Sequence, residues 1–174
     1  MVVLAQSVTV ARAGSAVTVR APGFDFIKGE PLARLKDGRS VRVDLELDVL
    51  PGPGGAAAAQ GRQTYVLSYD LWEERFAVTV VGPPSRSIAY QTSAGAETWC
   101  LDQLTVPVNA LGRLGRDLPF WVRLGYRVLA ADNPPTADGS GDFTLRGLID
   151  ALSRRRKADA LTHSIEAGPF RLPN

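Results

Sequence analysis

Between Arg39 and Val81 apolar and polar residues alternate with a period of two. Val41, Val43, Leu45, Leu47 and Val49 fall on one side of the run, and Arg42, Asp44, Glu46 and Asp48 on the other. Side chains of a strand point to opposite faces in turn, so this pattern predicts a strand over 40–50 with one buried and one wet face. Residues 62–72 repeat it with Tyr65, Leu67, Tyr69 and Leu71, and 76–81 form a third run after Glu73-Glu74-Arg75. Three successive strands with tight connections predict an antiparallel meander able to carry a core.

The flanking segments extend this plan. Residues 8–20 read as strand, turn, strand, with turn chemistry in Ala13-Gly14-Ser15. A short helix is predicted over 30–36, opened by Pro31 in its first turn and stopped by Gly38. Residues 51–61, dominated by Gly, Pro and Ala, read as a flexible excursion between two strands. Residues 85–91, with Ile88 and Tyr90, form a further strand. A helix over 93–104 follows, capped by Thr92 or Ser93, with Ala96, Trp99, Cys100, Gln103 and Leu104 inward and Asp102 outward. Val106-Pro107-Val108 is extended, and 109–115 suits one helical turn. The strand 119–130 sets Phe120, Val122, Leu124, Tyr126 and Val128 on one face and Trp121, Arg123, Gly125, Arg127 and Leu129 on the other. A loop over 131–141, a helix over 143–157 closed by Arg154-Arg155-Arg156-Lys157, and a last strand over 161–172 broken at Gly168-Pro169 complete the chain. The fold class is mainly β, an antiparallel sandwich or strongly curved sheet with two or three short helices at its ends and edges.

Composition narrows the chemistry. The 174 residues fit a single domain, 1–174, large enough to bury a core without staples. A net charge of +2 does not argue for nucleic acid. One cysteine, Cys100, and one histidine, His163, leave no internal disulfide, no thiolate cluster and no two-histidine metal motif. No apolar run reaches the length of a transmembrane segment. The apolar start Met1–Ser7 reads either as the tail of a signal peptide or as the lead-in to the first strand.

The order of elements has a parallel. A short helix ending at Gly38 leads into an alternating strand, then come a Tyr-rich strand, a tight turn, a further short strand, a small helix and the Arg-rich strand 121–128. Over residues 24–129, on Leu32 to Leu47, Tyr65 to Val80 and Phe120 to Val128, the chain resembles an uncharacterised bacterial family of small, usually exported β-rich proteins, a domain of unknown function. The resemblance implies a periplasmic or secreted location, with the cytoplasm as the alternative, and brings no catalytic motif.

Candidate chemistry is sparse. Asp44, Glu46 and Asp48 offer oxygen ligands, but successive side chains on one strand face lie about 7 Å apart, and the row reads as a wet face paired with Arg42, Arg62 or Arg123. Trp121, Arg123 and Arg127 share a strand face, and Trp72 and Arg75 share a turn. Arg beside an aromatic ring can bind anions, sugars or a protein. The same residues suit packing, with the Arg stems covering apolar surface. Arg154 to Lys157 complement their helix dipole without any partner. Gly-x-Ser-x-Gly is absent, and His163 has no evident Ser and acid beside it in sequence. These residues point to a non-catalytic binding or protein-interaction module that needs no cofactor and has another protein as partner, and the resemblance implies a place in the bacterial envelope. A carrier holding a small apolar ligand between sheet and helices is the alternative, and a hydrolase using His163 the weaker one. A deep pocket lined by Phe, Trp and Tyr would favour the carrier, and a filled core with an exposed Trp/Arg surface the interaction module.

Overall fold

The structure, a computed structural model, describes residues 7–114, 118–129 and 163–171, with the backbone alone at 113 and 114. The expected loop 131–141, the helix 143–157 with its basic end, and most of the apolar start lie outside the described residues. Elements follow in the order β1 (Thr9–Ala13), β2 (Ala16–Arg20), α1 (Glu30–Lys36), β3 (Val41–Leu50), β4 (Ala59–Asp70), β5 (Arg75–Val80), β6 (Ser87–Gln91), α2 (Ser93–Gln103), β7 (Thr105–Pro107), a 3-10 helix (Val108–Leu114), β8 (Phe120–Leu129) and β9 (His163–Phe170). The protein is mainly β, and the described residues form two antiparallel sheets and two α-helices.

A six-stranded sheet runs β6-β5-β4-β3-β8-β9, and a three-stranded sheet runs β1-β2-β7. The meander β3 to β6 lies where its alternation predicts. Every odd residue of β3 from Val41 to Val49 is buried. These side chains share one core with Val17 and Val19 of β2, Val106 of β7, Leu35 of α1 and Ala96, Cys100 and Leu101 of α2. The small sheet and both helices thus close one face of the large sheet. The sheets approach closely at Gly61, where a Cβ would collide with the Thr105 carbonyl, so only glycine lets β7 approach β4 there.

α1 ends as its sequence predicts. Gly38, at φ 77°, lets its N–H reach the Leu35 carbonyl while the Arg39 N–H reaches that of Arg34, the paired bonds of a Schellman cap. In α2 the Thr92 hydroxyl accepts the Gly95 N–H at 3.1 Å.

Four expectations change. β4 begins at Ala59, so the end of the 51–61 segment belongs to the ladder, with Gly61 opposite Leu47. The rest of that segment is tied down, because the Gly54 N–H donates to Glu166 of β9 at 2.7 Å and the Gly55 carbonyl accepts from Arg123 at 3.4 Å. β9 continues through Gly168-Pro169, and its register against β8 slips between Phe120 and Val122. The expected break is therefore a bulge on a strand that ends the order of the described sheet, a position that tolerates proline. On α2, Glu97 and Leu101 are buried while Trp99 and Gln103 are only half-buried. Trp99 packs on the margin of the core, and Gln103 accepts from Arg86 at 2.7 Å.

Candidate functional site

Cross-strand register draws Arg123 and Arg127 into an ionic lattice on the face of the large sheet opposite the core, with Trp121 on the same strand. Gln60, Asp48, Arg123 and Glu166 are consecutive partners across β4, β3, β8 and β9. Gln60 Nε2 donates to Asp48 Oδ1 at 2.8 Å and to Glu46 Oε1 at 2.6 Å. Arg123 lies 3.7 Å from Asp48 and 3.1 Å from Glu166. Glu46 takes Arg62 at 2.7 Å and Arg127 at 3.2 Å. The Thr64 hydroxyl donates to Asp44. The acidic row thus meets cations and amides strand by strand. Among the described residues no group of three or more His, Cys, Asp or Glu stands together as a metal site.

Burial makes this lattice structural in its energetics. Asp48, beside Arg123, and Arg127, beside Glu46, are both buried, and removing the partner of a buried charge leaves it uncompensated. Burial pushes the Asp48 carboxyl above its ordinary range, and the Gln60 hydrogen bond opposes that rise. Trp121 is half-buried and lies across Gly168, where a Cβ would strike its ring. The Arg123 guanidinium is shared among Asp48, Glu166 and Gly55.

Trp72 and Arg75 sit elsewhere: Trp72 lies on the four-residue connection between β4 and β5, and Arg75 opens β5 as the partner of Asp70. Asp70 Oδ1 accepts the N–H groups of Trp72 at 2.8 Å and Glu73 at 3.0 Å, which holds its carboxyl below the ordinary range. Glu74 closes the turn in the left-handed region at φ 52°. The turn backbone is therefore fixed, and it presents a Trp72 side chain that is 95% exposed. Leu71, on the same turn, is also exposed.

The end of β6 meets this turn. Gln91 pairs with Phe76, itself the partner of Tyr69. Between Gln91 and Ile88 the register slips, and Tyr90 takes φ 59° inside the bulge. Period two would set Ile88 and Tyr90 on one face. The bulge separates them, so Ile88 packs on the core while Tyr90 is 75% exposed. Two non-glycine residues in left-handed backbone, Glu74 on the turn and Tyr90 in the bulge, thus lie at this end of the large sheet, at a cost of about 1 kcal/mol or more each. Sequence reasoning found Trp72 and Arg75 there and missed Tyr90, because a bulge leaves no local signature in Ser87–Gln91.

Sequence reasoning also missed Glu97. Its Oε1 accepts the N–H groups of Phe26 at 2.8 Å and Ile27 at 2.7 Å. Burial raises its pKa, partly opposed by those two bonds. The signal was its place one residue after Ala96, on the α2 face that also carries Cys100, Leu101 and Leu104. His163 is exposed at the start of β9, its ring 5.9 Å from Phe24 and 6.0 Å from Tyr126.

No protein-family model, curated protein or solved structure matches this chain. No described helix is long and apolar enough to cross a membrane.

Proposed function

We propose that the protein is a non-catalytic interaction module that engages a partner protein through the corner formed by Leu71, Trp72, Arg75 and Tyr90. The observation that carries this reading is Trp72, almost wholly exposed on a turn whose backbone Asp70 holds in place. An exposed Trp on flexible chain loses conformational entropy on binding. One on a fixed turn loses less, and Trp, Tyr and Arg are the residues that most often dominate protein interfaces. Arg75 and Glu73 at the rim supply charge to steer a complementary surface.

The apolar-carrier reading has weaker support. Among the described residues Phe24 is the one aromatic residue lining the cavity of about 290 Å³ between α2 and the segment after β2, and its walls carry Arg20, Asp25, Glu97 and Asp102. A periplasmic or secreted location remains part of the proposal, carried over from the sequence expectation alone. Fractionation of the native host tests it, and recovery with the cytoplasmic fraction would remove it.

The decisive experiment compares the wild-type chain with a Trp72→Ser/Tyr90→Ser double variant. A partner recovered from host extract is purified and its affinity for both proteins is measured. A loss of about tenfold or more in the double variant supports the corner as the contact. Equal affinity for both proteins, or co-purification of a small apolar molecule in place of a protein, overturns it.

A further inference from the structure

The cavity beside Glu97 lies outside the reading of the Trp72 corner. One wall is the segment from Arg20 to Asp25 after β2, and the other is the α2 face carrying Ala94, Glu97, Thr98, Leu101 and Asp102. At about 290 Å³ it stands at the lower end of the range for small-molecule sites. Phe24, Leu101 and Pro22 give it an apolar side. Among the described residues its charged groups are three carboxylates, Asp25, Glu97 and Asp102, against one guanidinium, Arg20.

Glu97 is only 7% exposed. Both backbone N–H groups it accepts go to Oε1. Among the described residues no hydrogen bond reaches Oε2, and that oxygen is not sealed away as a buried orphan. Glu97 lines the cavity, and a buried carboxylate with one oxygen fixed by the chain and the other without a hydrogen bond can accept from a donor placed there. The fixed oxygen orients the free one, so the acceptor is pre-organised.

We propose that this cavity binds a small organic amine, its ammonium group donating to Glu97 Oε2 and its apolar body lying on Phe24 and Leu101. Asp25 and Asp102, exposed at the rim, add attraction for a cation. Arg20 disfavours a second positive group at that side of the mouth.

The test titrates the wild-type protein with phenethylamine, and separately with phenethyl alcohol as its neutral counterpart, following backbone amide shifts by NMR. The amine is expected to move the resonances of Phe24, Glu97, Thr98 and Leu101 saturably, and the alcohol to bind about tenfold more weakly or not at all, since a charge-assisted hydrogen bond is absent. The variant Glu97→Gln keeps an acceptor for Phe26 and Ile27 but loses the charge, and it is expected to lose the amine to the same degree. Should that variant fail to fold, Asp102→Asn at the exposed rim serves instead, with a severalfold weaker affinity expected. No saturable shift at these residues with the amine, or equal binding of amine and alcohol, overturns the proposal.

Discussion

Glu166 on β9 accepts the N–H of Gly54 at 2.7 Å, tying the last strand to the connection between β3 and β4 across 112 residues of sequence. Its other oxygen accepts from Arg123. The Gly54 bond, with Arg123 beside it, holds the Glu166 carboxyl below its ordinary range. The glycine-rich loop is therefore an ordered cover over the edge of the ionic lattice. Glu166→Ala is expected to release it. Amide exchange at Gly54 should speed up and protease cleavage within 51–58 should appear, with the sheet amides unchanged. Unaltered protection at Gly54 would refute the tie.

Tyr65 lies wholly inside the core, and its hydroxyl donates to the Cys100 carbonyl at 2.7 Å. That carbonyl belongs to the last turn of α2, where the helix offers no N–H partner of its own. Tyr65→Phe should cost about 1–2 kcal/mol, the penalty for a buried acceptor left short of a donor. Denaturant unfolding measures it, and a neutral effect would mean that the helix end finds another donor.

Gly61 faces the Thr105 carbonyl where the two sheets approach. Adding one methyl in Gly61→Ala forces backbone apart, with an expected loss of about 1–3 kcal/mol. An unchanged melting temperature would show that β7 yields easily.

Stability should depend on pH through two opposed sets of carboxyls. Asp70 and Glu166 are held below their ordinary values of 3.8 and 4.5, so the stability they contribute is present above those values and is lost as pH falls through the lowered ones. Asp48 and Glu97 are raised above 3.8 and 4.5 by burial, so the folded state binds more protons than the unfolded state just above those values. Their contribution is complete below the ordinary values and is lost as pH rises through the raised ones. Relative to Glu97→Gln, which cannot titrate there, the wild type is expected to gain melting temperature as pH falls from neutrality toward the ordinary carboxylate range. A difference that is flat with pH, or that shrinks in that direction, would contradict the raised value.

Trp72 makes its claim by contrast. With 95% of the residue exposed, Trp72→Ser should alter unfolding free energy by no more than about 0.5 kcal/mol. A large destabilisation would reveal a structural role for the ring and weaken the case for an interaction surface.

Period-two alternation determined the meander, and with it the buried face of β3, because side chains of a strand have only two directions to take. Pro31 and Gly38 likewise marked α1, since their backbone preferences are local. What lies beside each polar residue is not local. Asp48 meets Gln60 and Arg123 only because β4 and β8 dock on either side of β3 in one register. That register is set by core packing and by loops far apart in the chain. The same holds for the corner and the cavity. Trp72 could be read from its turn, whereas Tyr90 was turned outward by a bulge that forms only when β6 pairs with β5. Glu97 became an oriented, buried acceptor only when the segment through Phe26 and Ile27 folded onto α2. Sequence determined the core face of the meander strand β3; tertiary pairing decided the buried face of α2, the outward turn of Tyr90 and the partners of each polar group.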